Sequence, residues 1–124
     1  MYYNQLKQLY NYTNTISCVY LFNFGNIYDN FILCKYGYTN NLLRRFKEHE
    51  RDYNLNRIEL LHYVQVNNSN LRNAENDFRN ELKKLDVINS MYINDKRRRE
   101  LFIIKENNVF YFKQLLNDIH SSYK

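Results

Sequence analysis

The sequence predicts an α+β fold: a small mixed or antiparallel sheet with a β-β-α-β-α core, flanked by helices. Three observations lead there. Short runs rich in β-branched and aromatic residues, at 16–24, 31–38 and 57–66, carry the signature of strands. Between and after them, apolar residues recur every three or four positions, as one face of a helix requires. Aromatic residues make up 17% of the 124 residues, with 13 Tyr and 8 Phe, so the chain has the ring area that offsets the entropy of ordering one modest core.

Taken in order, residues 1–14 are expected to form a short helical extension with Leu6, Leu9 and Tyr10 on one face. The strand at 16–24 and the strand at 31–38 read as a hairpin whose polar turn, around 25–30, is longer than the tightest type. Thr39 or Asn40 can cap a helix running to about Asp52, since either side chain can accept from a free first-turn amide. A third strand follows at 57–66, and Asn67, Asn68 and Ser69 are cap candidates for a long helix ending near Leu85. A short apolar strand at 101–104 and a closing helix at 108–120, with Val109, Phe112, Leu116 and Ile119 as its buried stripe, complete the order. The reading is of one domain over 1–124, with its core at 16–104 and the closing helical segment reaching about 122.

The composition narrows the function classes. A net charge of +5 favours an anionic partner. Cys18 and Cys34 fall inside apolar strand runs and read as reduced core residues rather than a disulfide scaffold. No basic-then-apolar leader opens the sequence, and no apolar run approaches the ~20 residues of a membrane span, so a soluble intracellular protein is expected. There is no Pro and only 2 Gly in a chain crowded with residues of AT-rich codons. Gly25 and Gly37 therefore mark places where a Cβ clashes or φ is positive.

Two helices carry ionisable residues where apolar ones are expected. On the first, Leu42, Leu43 and Phe46 define the inward face, with His49 in the Leu42 direction and Arg45 on its flank. A snorkelling Arg and a satisfied core His would account for these; so would a site. On the long helix, Glu75 interrupts the stripe Leu71, Ala74, Phe78, Leu82, Leu85. A carboxylate there must be paired with an Arg, protonated or bound to a metal. Lys96-Arg97-Arg98-Arg99 is the densest charge run, either a solvated loop or a phosphate grip that Arg44, Lys47 and Lys113 extend. His62 and His120 have no metal-ligand spacing and read as structural.

Cys18-Val19-Tyr20 in the first strand, Lys35-Tyr36-Gly37 ending the second, and Tyr38-Thr39-Asn40-Asn41-Leu42-Leu43-Arg44-Arg45 leading to Phe46-Lys47-Glu48-His49 resemble the GIY-YIG nuclease superfamily. Arg45 stands eight residues beyond Gly37, His49 four further on, and Glu75 where the family places its metal-binding Glu. The resemblance covers 17–104 and looks closest to the divergent branch of phages and large DNA viruses, in which Lys often replaces the second-strand Tyr. Glu100-Leu101-Phe102 also resembles a feature of that branch.

The resemblance implies a metal-dependent DNA endonuclease with Tyr20, Lys35, Arg45, His49 and Glu75 as catalytic residues. Glu75 would hold one Mg²⁺ or Mn²⁺. Arg44, Lys47, Lys96, Arg97, Arg98 and Arg99 would contact DNA. It further implies a monomer or weak homodimer, without a small-molecule cofactor, in host cytoplasm or nucleus if viral. Cys18 where Gly is usual, Lys35 in place of Tyr and a lengthened hairpin loop are departures. They keep open a catalytically weak or inactive DNA-binding or regulatory module on the same fold. Asn89, Asn94, Asn107 and Asn108 compete for the position of a late family Asn.

Overall fold

The computed structural model describes residues 17–53, 58–85, 88–93 and 96–123, with side chains for all of these except 28 and 88–99. The expected extension at 1–14 lies outside the described residues. The elements are β1 (Cys18–Tyr28), β2 (Phe31–Thr39), α1 (Leu42–Asp52), β3 (Glu59–Gln65), α2 (Leu71–Lys84), β4 (Ile88–Ile93), β5 (Lys96–Lys105) and α3 (Val109–Ser122). Single 3₁₀ turns, Asn68–Asn70 and Glu106–Asn108, lead into α2 and α3. The fold is α+β, and the β-β-α-β-α order stands.

The strands form one sheet of order β3-β1-β2-β5-β4, antiparallel at every pairing. The central strands explain the sequence pattern. A strand buried on both faces needs apolar residues at successive positions, and Cys18 to Phe22 of β1 are all buried. Val19 and Leu21 face one way, joining Cys34, Tyr36, Phe102 and the apolar stripes of α2 and α3. Cys18, Tyr20, Phe22 and Phe24 face the other, against Leu42, Leu43 and Phe46 of α1. The two free cysteines thus lie on opposite sides of the sheet.

Several expectations change. The hairpin turn is tight: β1 continues to Tyr28 and pairs with Phe31 across Asp29 and Asn30, with Asn30 at φ 68°. Asn tolerates that left-handed conformation better than most residues. Gly25 is absorbed into β1 at a bulge with φ 119°, and its N–H donates to Asn23 Oδ1 at 2.7 Å. The cap of α1 is Asn41, whose side chain accepts from the Arg44 amide at 3.0 Å. Thr39 instead holds Asn41, accepting from its amide at 3.1 Å. A strand missed in the sequence, β4, precedes β5, and the basic run 96–99 belongs to β5 rather than to a loop.

One irregularity shapes the site. Pairing of β2 with β5 runs from Phe31↔Lys105 to Lys35↔Leu101 and, among the described residues, goes no further. From there β5 stays with β4, through Met91↔Arg98 to Ile93↔Lys96. The sheet forks beside Lys35, and Glu100 is the first residue past the last β2 pair.

Candidate active site

The strand–helix packing around α1 brings the sequence candidates together. Tyr20 and Gly37 are cross-strand partners. The Tyr20 ring lies across Gly37 so closely that a Cβ there would sit 2.5 Å from its hydroxyl oxygen and 2.8 Å from Cζ. Only glycine admits the ring. The hydroxyl is hydrogen-bonded to His49 Nε2 at 3.0 Å, and both residues are buried. His49 is further enclosed by the rings of Phe22, Phe24 and Tyr53.

Burial fixes the protonation of this pair. It pulls the His49 imidazolium down to about 3, helped by the positive charges of Lys35 and Arg45, so the ring is neutral at pH 7. It pushes the Tyr20 phenol above its ordinary range, against the pull of Arg45. The site thus holds a neutral Tyr–His dyad beside two cations.

Lys35, almost wholly buried, meets Glu100 across the fork with Nζ 3.4 Å from Oε2. Burial lowers the tendency of its ammonium to stay charged, and Glu100 counters that. Arg45 is half-buried at the rim. Its Nε lies 3.2 Å from Glu48 Oε1 without the alignment of a hydrogen bond, so this shielded nitrogen is left unsatisfied among the described residues. About a third of the side chain is exposed, so part of the guanidinium faces solvent.

Glu75 enters from α2, on the opposite side of the sheet. It is the buried carboxylate within the apolar stripe, and its partner is Arg79, one turn on, which donates from Nη2 to Oε1 at 2.6 Å. Arg79 Nε also donates to the Tyr36 hydroxyl at 3.1 Å. Burial raises the Glu75 carboxyl above its ordinary range; Arg79 opposes this, and the negative charge of Glu100 adds to it. The fields of Glu75 and Glu100 also reach Tyr20 and Lys35. Of the five sequence candidates, Tyr20 and His49 are in direct contact, Lys35 and Arg45 act on His49 through their charge, and Glu75 acts from across the sheet.

Arg79 was not singled out in the sequence, and Glu100 and Glu48 were quoted only within runs that carry the resemblance, with no role given to either. The i, i+4 spacing of Glu75 and Arg79 was a usable signal. The meeting of Lys35 with Glu100 was not, because it depends on where the sheet forks.

Arg44 and Lys47 stand exposed on the outer side of α1, lining a depression of about 400 Å³ with Arg51. Arg44 Nη2 donates to Asn40 Oδ1 at 3.1 Å. The side chains of Lys96, Arg97, Arg98 and Arg99 lie outside the described residues. A wider depression of about 690 Å³ at the hairpin end, lined by Asn26, Ile27, Asp29, Asn30 and Glu106, brings together none of the candidates. His62 is held by Asn117 Oδ1 at 2.7 Å, a structural tie between β3 and α3.

The model of the T5orf172 domain matches residues 17–117. The chain belongs to the T5orf172 domain family. That domain is phage-associated and related to nucleases of the GIY-YIG and HNH types, which gives the chain a nuclease-like or DNA-binding character. No curated protein and no solved structure matches the chain. The matched span of the T5orf172 domain takes in the whole described sheet and every residue of the Tyr–His, Lys–Glu and Glu–Arg contacts. Among the described residues no helix is long and apolar enough to cross a membrane.

Proposed function

We propose that this T5orf172 domain is a DNA endonuclease with a GIY-YIG-type site, hydrolysing phosphodiester bonds with the help of one divalent ion. What supports the reading is the buried hydrogen bond between Tyr20 and a neutral His49, with Lys35 and Arg45 near enough to act on the imidazole.

The donor set suits a hard ion. Glu75 has one oxygen engaged by Arg79, and its carboxyl already feels a second negative charge from Glu100. Carboxylate oxygen is the donor type that hard ions such as Mg²⁺ and Mn²⁺ prefer, and such ions keep several of their waters. Glu75 would hold the ion. When bound, the ion supplies charge stabilisation at a phosphate oxygen.

The remaining chemistry belongs to the chain. Arg45, with about a third of its side chain exposed, would match the phosphate oxygens on which negative charge grows in the transition state. A water attacking phosphorus gives its proton to the Tyr20 oxygen as the Tyr20 proton passes to His49 Nε2, and the sugar oxygen leaves. His49 is the acceptor because burial keeps it neutral. Lys35 takes the place of a second tyrosine, offering charge to the phosphate.

A plasmid-nicking assay with Mg²⁺ or Mn²⁺ tests this. Cleavage by the wild type that falls about 10²–10³-fold in Arg45→Ala, the range for removing one transition-state donor, and is lost in folded Glu75→Ala, is expected. One observation favours a second reading, a catalytically weak DNA-binding module: the Tyr20 ring is only 1% exposed beneath its neighbours. Salt-sensitive DNA binding with no cleavage by the wild type would select it.

A further inference from the structure

The substitution of Lys for a ring at position 35 creates a problem that the sheet solves. An ammonium nine-tenths buried loses solvation and tends to shed its proton. In the neutral form it would offer a phosphate no charge. Its surroundings are mixed. The charge of Arg45 and the ring of His49 on α1 lie within reach of its charge, and the field of Glu75 reaches it from across the sheet, while the Glu75 carboxylate is already committed to Arg79. Glu100 alone makes an ion pair with Lys35 among the described residues, and does so only because β5 leaves β2 after Leu101.

We propose that Glu100 is the positioning residue for Lys35: paired with it from β5, it keeps the buried ammonium charged and fixed in place for a DNA phosphate. This rests on the nuclease reading for its purpose but not for its chemistry. Glu100 touches no reacting atom. It acts through Lys35, and its half-exposed carboxylate can turn to solvent when a phosphate takes its place on Nζ.

The sign of the effect is fixed. Removing the Glu100 charge leaves burial and Arg45 to act on Lys35 with less opposition, so the ammonium gives up its proton at lower pH. Activity that needs the charged form then fails earlier on the alkaline side, falling about tenfold per pH unit beyond the midpoint.

The test uses the full chain as wild type, Glu100→Gln, Lys35→Arg and the double variant, all with matched thermal unfolding. NMR titration of the Lys35 side chain without DNA gives its midpoint directly. Plasmid nicking with Mg²⁺ from pH 6 to 10 gives the activity profile. The expected result is a lower Lys35 midpoint in Glu100→Gln and an alkaline limb displaced by the same amount. In the Lys35→Arg background, where the guanidinium stays charged throughout, Glu100→Gln leaves the limb in place. An unmoved Lys35 midpoint overturns the proposal whatever the nicking assay gives, and so does a limb that shifts equally in the arginine background. A midpoint that falls in a protein that never nicks DNA upholds the positioning of Lys35 and removes the nuclease reading instead.

Discussion

The two faces of the sheet are built from the same strands yet serve different ends. Against α2 and α3, the core is made of Val19, Leu21, Tyr36, Phe78, Phe102, Phe112 and Leu116, with the buried Glu75 tied to Arg79 on its own helix. Against α1, the alternate residues of β1 bring Tyr20 beside His49, with Lys35 close by, all buried. A buried titratable group costs stability unless it is satisfied. The α2–α3 face holds the fold, and the α1 face spends part of that stability on a chemical environment.

If that division is right, the largest loss of stability lies on the side away from the chemistry. Phe78 is fully buried and meets the rings of Tyr36 and Phe102. Phe78→Ala is expected to destabilise by about 3–5 kcal/mol, read by urea unfolding. A loss below about 1 kcal/mol would show that the α2–α3 face is not the one that holds the fold.

The next effect belongs to the α1 face and depends on pH. His49 titrates at 6.5 when unperturbed and at about 3 in the folded state. Its contribution is therefore fully present above pH 6.5 and is lost as pH falls toward 3, because the unfolded chain binds the proton first. Between pH 7 and pH 5 this amounts to about 2 kcal/mol. Wild type should lose that much more stability over this range than His49→Gln. Equal losses in the two proteins would mean that the imidazole is not held neutral.

Gly37→Ala sharpens the contrast in another way. The new methyl would collide with the Tyr20 hydroxyl, and the ring must move away from His49. A cost of about 1–3 kcal/mol is expected, together with a loss of cleavage larger than that stability change would cause. Full activity would show that the Tyr20–His49 bond is dispensable.

Much of this was legible in advance. Runs rich in β-branched and aromatic residues placed β1, β2 and β3, helical spacing and cap signals placed all three helices, and the inward directions of His49 and Glu75 followed from helix geometry. Both glycines proved informative, one through φ and one through contact. The failures have physical causes. Strand β4, Ile-Asn-Ser-Met-Tyr-Ile, breaks its apolar run with Asn and Ser, and it takes its place by pairing with β5 rather than by propensity. The cap of α1 was misplaced because Thr39, Asn40 and Asn41 are all competent, and only the three-dimensional path of the chain selects Asn41. Glu100 lies 65 residues from Lys35 in sequence, and nothing local to either residue announces their meeting.

The smallest effect on folding is expected outside both cores. Arg44 is exposed, and its main tie is to Asn40 on the same turn of chain, so Arg44→Ala should change stability by less than about 0.5 kcal/mol. DNA affinity is a different matter. If Arg44 neutralises one phosphate, its removal weakens binding to every duplex alike and lowers the slope of log affinity against log salt by about 1. Lys47→Ala should do the same, and the two changes should add, since neither residue belongs to the buried network. Fluorescence anisotropy with a labelled duplex over a range of salt concentrations measures the slope. An unchanged slope would place the DNA away from the outer side of α1 and leave the rim around Arg45 and Glu100 as its point of entry.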